Sequence, residues 1–396
     1  MAKRIRRIRD RLGRFRTDVL MPGQTVAGLG NIPGPESKRP RPVRERRVVA
    51  RAGIPIIRRD PILNREEFEH FGCDVPALGP PTPDALVPDV VVPREFFGNL
   101  DLVMPDGVSI RFWGFRSPDN PAMFPNEAIR VRQGQVVHTP LKVRKNVHTI
   151  HHHGIEGTTF NDGVGHVSFE VKNRYTYQWR PHEAGTFFYH CHVNTTLHVE
   201  MGMYGMLIVD PPEGPGTAFE GGPVYDVEGI WAFDEVDPRF HKMSHHEGIN
   251  CLFDKNAGQH FFRPEYFFIS GTPSPFTELD NPPAPYVSPI VNATAGQRIL
   301  IRMLCGGYTI NRITFPFPVQ IIAVDGIPLG GPANPRTQYA APIDIPAGQP
   351  IEMTTAQRHD IYIPSAPAGN HAVTITFNDW VDDQEYATVT TFVIVQ

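Results

Sequence analysis

The sequence predicts an all-β fold, built from short strands that form sandwiches or barrels. The 396 residues include 41 prolines, and proline disfavours long helices and suits short strands joined by turns. From about residue 100 onward, segments with strand-like apolar patterns recur at short spacing, which is typical of sandwiches and barrels. A chain of this length can form two domains, each with its own core.

The clearest strand patterns fall into two sets, separated by a linker rich in Pro and Gly at residues 211–222. This division predicts one domain at residues 91–215 and a second domain at residues 216–396. The strand predictions of the first set are 128–131, 133–141, 175–179, 186–190 and 203–209, and those of the second set are 298–304, 319–324, 351–354, 360–363 and 371–377.

Residues 1–90 are predicted to form a basic extension, rich in Pro and Arg, that wraps a core or a neighbouring molecule. Residues 1–60 contain 17 Lys and Arg against 5 Asp and Glu, so the net charge of −4 hides a basic arm on an acidic body. This composition is typical of a solvated arm or one ordered by a partner. The alternative is contact with nucleic acid or another anionic surface, which we expect less. One short helix is predicted at 64–71.

Targeting and redox signals are weak. No apolar run reaches the roughly eighteen residues that a membrane-spanning helix needs, and no apolar stretch of adequate length follows the N-terminal arginines as in a secretory signal. The four cysteines match no zinc pattern, and their number and spacing predict no disulfide framework. The sequence therefore leaves the compartment open.

Seven of the 17 histidines lie in three short stretches, a density that indicates metal binding. Imidazole together with thiolate suits copper, zinc or iron. The histidines are His148 with His151–His153, the pair His190 and His192 on either side of Cys191, and His198.

Strand geometry predicts two separate metal centres. Side chains on a strand alternate between faces, so His190 and His192 share one face and Cys191 points the other way. By the same rule His151 and His153 share a face, and His148 has the opposite parity. If the two strands pair, one face presents a thiolate and one imidazole, and the other face presents four imidazoles.

The first predicted centre consists of His148, Cys191, His198 and Met203, which is the ligand set of a blue-copper site. Met201 is the alternative axial ligand. Zinc fits Cys and His but does not need a thioether, and mixed Cys/His zinc sites usually show C-x-x-C spacing. The second predicted centre has imidazole ligands only, which suits copper that meets oxygen or another small oxidant. Its ligands are His151, His153, His190 and His192.

These stretches resemble the multicopper oxidases, the family of laccases and copper-containing nitrite reductases. Residues 148–154 (HTIHHHG) resemble the family's H-x-x-H-x-H-G element, and residues 190–192 resemble its H-C-H element. The resemblance implies two cupredoxin-like Greek-key domains. It also implies that His148 and Cys191 bind a type 1 copper, that His151 binds a type 2 copper, and that His153, His190 and His192 bind a type 3 pair.

The resemblance extends beyond the ligands. Asp162 resembles an acid that helps deliver protons in the family, although an Asp in this Asn-Asp-Gly context is also a common turn residue. The second half of the chain resembles a family domain that normally binds no copper. Family members are commonly periplasmic or extracellular.

The implied activity is oxidation of a small-molecule or metal-ion reductant, with electrons passing from the type 1 copper to a His-rich cluster that reduces dioxygen. The family's trinuclear cluster takes eight histidines, whereas the first domain supplies four and the remaining histidines contain no second H-x-H pair. We therefore expect another copy of the chain or a different subunit to complete the cluster. The interval from Cys191 to His198 is also wider than in most members.

Two alternatives stay open at this stage. A nitrite reductase-like enzyme would hold a mononuclear type 2 copper on His153, His190 and one histidine from a neighbouring chain. A blue-copper electron-transfer or assembly protein would use only the first centre, with the basic arm as a docking device.

Overall fold

The computed structural model describes residues 5–9, 15–19, 86–155, 157–158, 160–165, 170–245, 262–331 and 340–396. The chain divides into two compact units, residues 1–56 and 57–396. In the first unit, β1 (Ile5–Arg9) and β2 (Phe15–Val19) form an antiparallel hairpin, which the sequence analysis did not predict. The predicted helix at 64–71, Cys73 and Cys251 lie outside the described residues.

The second unit begins with two sheets, which we call the N-terminal sandwich. One sheet has the strand order β6-β11-β10-β8, and the other has the order β3-β7-β4-β5 with β9 added on β7. One short helix, α1 (Thr195–Glu200), precedes β11. The strands are β3 (Val90–Val91), β4 (Arg94–Val103), β5 (Ser109–Arg116), β6 (Asn126–Arg132), β7 (Val137–Lys142), β8 (His151–His153), β9 (Arg174–Trp179), β10 (Gly185–His190) and β11 (Tyr204–Asp210).

Two further sheets form what we call the C-terminal sandwich. Their strand orders are β14-β13-β12-β16-β22-β18-β19, with β20 on β18, and β15-β24-β23-β17-β21. Short 3₁₀ turns occupy Phe240–Lys242 and Phe276–Glu278. The strands are β12 (Val227–Val236), β13 (Tyr266–Ile269), β14 (Thr272–Pro273), β15 (Val291–Ala293), β16 (Ile299–Cys305), β17 (Ile310–Thr314), β18 (Val319–Val324), β19 (Ile327–Pro328), β20 (Ile343–Ile345), β21 (Pro350–Met353), β22 (Arg358–Ile363), β23 (Gly369–Asn378) and β24 (Glu385–Val395).

The all-β prediction is confirmed, and every strand segment predicted from the sequence coincides with a strand to within a few residues. The prediction missed several long strands, including β4, β12 and β24, whose sequences mix polar and apolar residues. In the part of the chain that the structure describes, no helix has the length and apolar character of a membrane span. The domain limits at 91–215 and 216–396 stay predictions.

Each sandwich buries an apolar core between its two sheets. The N-terminal core includes Ile129 and Leu207 from one sheet and Val137 and Trp179 from the other. A separate core fills the C-terminal sandwich. A third cluster joins the two sandwiches, since it combines residues of the N-terminal sandwich with residues of the C-terminal one: Phe188, Tyr204 and Met206 with Ala232, Phe268 and Leu304.

Strand β10 is the element that positions the predicted metal ligands. All six of its residues are buried, because its two faces serve different cores. Phe187 and Tyr189 point into the N-terminal core, whereas Phe188 belongs to the cluster between the sandwiches. The residues that follow β10 inherit this alternation, which separates Cys191 from the histidines on either side of it.

Candidate metal centres

The first donor cluster surrounds the sulfur of Cys191. Its Sγ lies 3.6 Å from Nδ1 of His148 and 3.2 Å from Nδ1 of His198. All three residues are fully buried, and their donor atoms lie within 4.8 Å of one another. The structure thus brings together a thiol and two imidazoles that are up to 50 residues apart in the chain.

Helix α1 explains how His198 reaches the sulfur. The chain leaves β10 at His190 and turns through a left-handed residue, Asn194 (φ 45°). One helical segment follows, which fills the wide interval from Cys191 to His198 noted in the sequence. The N–H of Met203 then donates to the carbonyl of His198, at 2.9 Å. A short helix therefore accommodates the extra residues and returns His198 to the thiol.

The two candidate axial ligands differ in their surroundings. The N–H of Cys191 donates to the carbonyl of Met203 at 3.0 Å, which extends the β10–β11 pairing by one step. Residues opposite each other on paired strands present their side chains on the same face. Met203 packs in the same core as Cys191, whereas Met201 packs in a different cluster with Leu197 and Phe240. The geometry therefore favours Met203.

The protonation of this cluster suits a soft metal cation. Burial raises the pKa of the Cys191 thiol to about 12 and holds the pKa of His148 well below its usual range. The His148 imidazole is therefore a neutral donor, and a buried thiolate needs a cation to stabilise it. Two imidazoles, a thiolate and a thioether on one buried face are the donor set of a blue-copper site.

The second cluster is made of imidazoles from two paired strands. In the pairing of β8 with β10, His151 lies opposite His190 and His153 lies opposite Phe188. Donor atoms of His151, His153 and His190 lie within 4.8 Å of one another. The ring of His192 is 5.4 Å from that of His151 and 5.5 Å from that of His190, so it borders this group of three.

Outer contacts orient these rings. His190 Nδ1 lies 2.9 Å from the carbonyl of Cys191, and His151 Nδ1 lies 2.6 Å from the carbonyl of Asp162. In both rings this leaves Nε2 as the nitrogen that would bind a metal. The carboxylate of Asp162 also lies 3.3 Å from His151 Nδ1. Burial lowers the pKa of His153 to about 3, which keeps this imidazole neutral.

The loop that carries Asp162 requires a glycine at the next position. Gly163 has a φ of 72°, a left-handed conformation that favours glycine. A Cβ there would lie 1.9 Å from the carbonyl oxygen of Ile150. The loop can therefore approach β8 closely enough to contact His151.

Three residues around the first cluster were not singled out in the sequence analysis. The ring of Phe96 stacks on His148 at 4.1 Å between centroids, and Trp113 packs edge-on against His198 at 5.8 Å. His245, from the C-terminal sandwich, places Nδ1 2.9 Å from His198 Nε2. All three contacts join residues that are far apart in the chain. Of the three residues, only the histidine in the Ser-His-His run at 244–246 could have been suspected as a site residue from the sequence.

The fold is of the cupredoxin type, and the two donor clusters have ligand sets that suit copper. Residues 120–214 match a family model described as multicopper oxidase. L-ascorbate oxidase of Cucumis sativus is 36% identical over 135 residues, which are 31% of this chain and 22% of the relative. Copper-containing nitrite reductase of Neisseria meningitidis serogroup B is 30% identical over 115 residues, 28% of each chain.

A solved structure supports the same fold over a longer stretch. The blue copper oxidase from Nitrosomonas europaea has a TM-score of 0.58 with 22% identity, covering 77% of this chain and 86% of that one. Residues 120–214 thus resemble a domain of multicopper oxidases, and most of the chain shares the fold of the solved structure. The sequence alignments span only about a quarter of the length of the curated relatives, and the family model matches residues 120–214, which carry both donor clusters.

Proposed function

We propose that this protein is a copper-dependent oxidoreductase that takes electrons from a reductant at the Cys191 centre and delivers them to dioxygen at the histidine centre. One observation carries the proposal: Cys191 lies between two imidazole ligands of one centre, and its neighbour His190 belongs to the other. The carbonyl of Cys191 is also within 2.9 Å of His190 Nδ1. The two centres are thus connected through adjacent residues.

The residues of the chain hold the copper donors in place, exclude water from the first centre and deliver protons. Copper bound to these donors would supply one-electron chemistry by alternating between its cupric and cuprous states. The full burial of His148, Cys191 and His198 excludes water from the first centre. Dioxygen reduction consumes protons, and we assign their delivery to Asp162, whose side chain is 38% exposed and contacts His151.

The histidine centre requires a second chain in this proposal. It offers three convergent imidazoles with His192 beside them, which is half of the set that a trinuclear cluster uses. The described residues of the C-terminal sandwich hold no further group of three metal donors. We therefore propose that a second copy of the chain, or a different subunit, contributes the remaining histidines.

A nitrite reductase-like activity is the second candidate, and a specific observation favours it. His192 lies outside the group of three donors formed by His151, His153 and His190, and His153 and His190 with one histidine from a neighbouring chain would hold a single copper ion. One of the relatives is a copper-containing nitrite reductase. In this case a mononuclear centre at the histidines would reduce nitrite.

Copper content and colour test the proposal. We expect the copper-loaded chain to show an intense thiolate-to-copper absorption that Cys191→Ser abolishes, with about two copper ions per chain for the nitrite reductase and more than two for the oxidase. Cys305→Ser is the matched control, because this cysteine is equally buried but lies in the C-terminal core. A fully loaded protein without the absorption would disprove the proposal.

A further inference from the structure

We propose that a cavity at the edge of the C-terminal sandwich binds a neutral saccharide, by stacking a pyranose ring on Trp380. The cavity, which we call the Trp380 cavity, has a volume of about 450 Å³, which suits one or two sugar rings. None of its described lining residues belongs to either donor cluster, so the inference does not depend on copper. Its lining combines aromatic rings with threonine hydroxyls, and includes Thr196, Phe262, Tyr308, Thr354, Thr355 and Trp380.

Trp380 offers an exposed aromatic face on a well-defined turn. It lies at residues 379–384, between β23 and β24, and is 73% exposed. The carboxylate of Asp379 accepts the backbone N–H groups of Val381 and Asp382, at 2.7 and 3.2 Å, and also the hydroxyl of Tyr386. Because these bonds hold the turn, the indole is a preorganised surface. A pyranose ring has a flat face of C–H groups, which can pack on such an aromatic ring.

Threonine hydroxyls supply the polar part of the recognition. The hydroxyls of Thr196, Thr354 and Thr355 have no hydrogen-bond partner in the part of the chain that the structure describes. A hydroxyl group can both donate and accept, so these side chains match the hydroxyl groups that a sugar carries around its ring. Tyr308 is held beside them, because its hydroxyl donates to the carbonyl of Thr196 at 2.6 Å and its ring packs edge-on against Phe262.

The charges of the cavity favour a neutral ligand over an ion. Asp379 is the only charged side chain among the described lining residues. The hydroxyl of Tyr386 and two backbone N–H groups already bind its carboxylate and hold its pKa below its usual range. The lining therefore offers no cation to an anionic ligand, and a cationic ligand would compete with these hydrogen bonds. An uncharged ligand rich in hydroxyl groups fits both features.

A proline-rich peptide is the competing ligand for an aromatic surface. Proline has no backbone N–H, so a run of prolines could accept hydrogen bonds from the threonine hydroxyls but could donate none to them. A saccharide hydroxyl can do both. The free hydroxyls of Thr354 and Thr355 therefore favour the saccharide.

Calorimetry on the full chain tests the proposal. Cellobiose is titrated into the copper-loaded and the metal-free protein, because its β-linked glucose rings carry equatorial hydroxyls and expose flat C–H faces. We expect saturable binding in both forms, and none of sorbitol, which has hydroxyls but no ring. Trp380→Ala should weaken cellobiose binding about tenfold by removing the stacking surface. Thr354→Val/Thr355→Val should weaken it about fivefold by removing hydrogen bonds.

Phe160→Ala is the matched control, because this ring is 70% exposed but does not line the cavity. It should bind cellobiose like the wild type, and Trp380→Phe, which keeps an aromatic ring, should lose less affinity than Trp380→Ala. Equal denaturant midpoints of the Trp380 variants and the wild type show that the fold is intact.

Three results would overturn the inference: no saturable binding of cellobiose, equal binding in Trp380→Ala and the wild type, or tighter binding of a deca-proline peptide than of cellobiose. The last result would assign the cavity to a polypeptide. Each of them leaves the thiolate-to-copper absorption unaffected, so the proposed function stands or falls separately.

Discussion

Cys191 and Met203 face each other at the open end of the β10–β11 pairing, and this single step of backbone pairing favours Met203 as the axial ligand of the proposed copper site. The backbone hydrogen bond between them, at 3.0 Å, aligns both side chains on the face of the N-terminal core. Met201 is two residues earlier and has a thioether of equal chemistry, but it lies in the turn after α1 and packs against Phe240. Position, and not residue type, distinguishes the two.

We expect Met203→Leu to raise the reduction potential of the Cys191 centre and to change its absorption spectrum. Loss of a thioether donor disfavours the cupric state more than the cuprous state, and the axial ligand tunes the potential of such sites. Met201→Leu is the control of equal size, and it should leave both properties unchanged. Redox titration followed by absorption measures the effect. A larger shift in Met201→Leu would assign the axial position to that residue instead.

At the scale of elements, the end of β12 carries two buried carboxyl groups that accept hydrogen bonds from residues of both sandwiches. Asp234 accepts a hydrogen bond from the Tyr204 hydroxyl at 2.8 Å. The next residue, Glu235, accepts bonds from the backbone N–H and the hydroxyl of Thr309, at 3.0 and 2.9 Å. Burial raises the pKa of both carboxyls, that of Glu235 to about 7. The strand therefore carries titrating groups in its buried part.

We expect the free energy of unfolding to fall as pH rises through the pKa range of these carboxyl groups. Between the usual glutamate pKa and about 7, folded Glu235 keeps a proton that the unfolded chain has released. The stabilisation is thus complete below the unfolded pKa and is lost as pH rises through about 7, by at most about 1.4 kcal/mol per pH unit. Glu235→Gln should flatten this dependence in denaturation of the metal-free chain. The variant Glu220→Gln, which changes an exposed carboxyl, should keep the pH dependence. Parallel profiles of stability against pH for the wild type and both variants would contradict the prediction.

At the scale of the whole molecule, a buried ionic network joins the two sandwiches. Arg302 is fully buried, with Nε 2.7 Å from Glu228 and Nη1 3.2 Å from Asp360. Its Nη1 also donates to the hydroxyl of Thr186, at 3.1 Å. Thr186 lies on β10, the strand that leads to Cys191, and its hydroxyl donates to Asp360. The C-terminal sandwich, which has no metal donor cluster in its described part, therefore supports the strand that positions both centres.

Arg302→Met should destabilise the protein by about 3–5 kcal/mol, because it leaves the buried carboxylate of Asp360 without its cation, whereas Glu228 keeps Arg130. Arg312→Met is the matched control. Its partners Glu352 and Asp383 are more than half exposed, so the change should cost less than about 1 kcal/mol. Denaturant midpoints of the two variants measure the difference. Equal midpoints would show that the network between the sandwiches adds nothing to stability.

The local parts of the candidate site were predictable from the sequence, and the long-range parts were not. Alternation along β10 places His190 and Cys191 on opposite faces whatever the rest of the fold does, so two centres followed from the H-C-H stretch alone. The position of His148 did not follow from strand alternation. Strand β8 contains only His151–His153, and His148 reaches the sulfur through an isolated bridge to Val171. That bridge depends on tertiary packing.

The sequence by itself determined the all-β fold, the donor types and the separation of the histidines from the thiol, because strand periodicity and ligand chemistry are local properties. Only the tertiary structure decided which residues surround these donors. His245 reaches His198 across 47 residues, and Arg302 reaches Thr186 across 116. Such contacts arise because the two sandwich cores pack against each other, and no spacing along the chain encodes them.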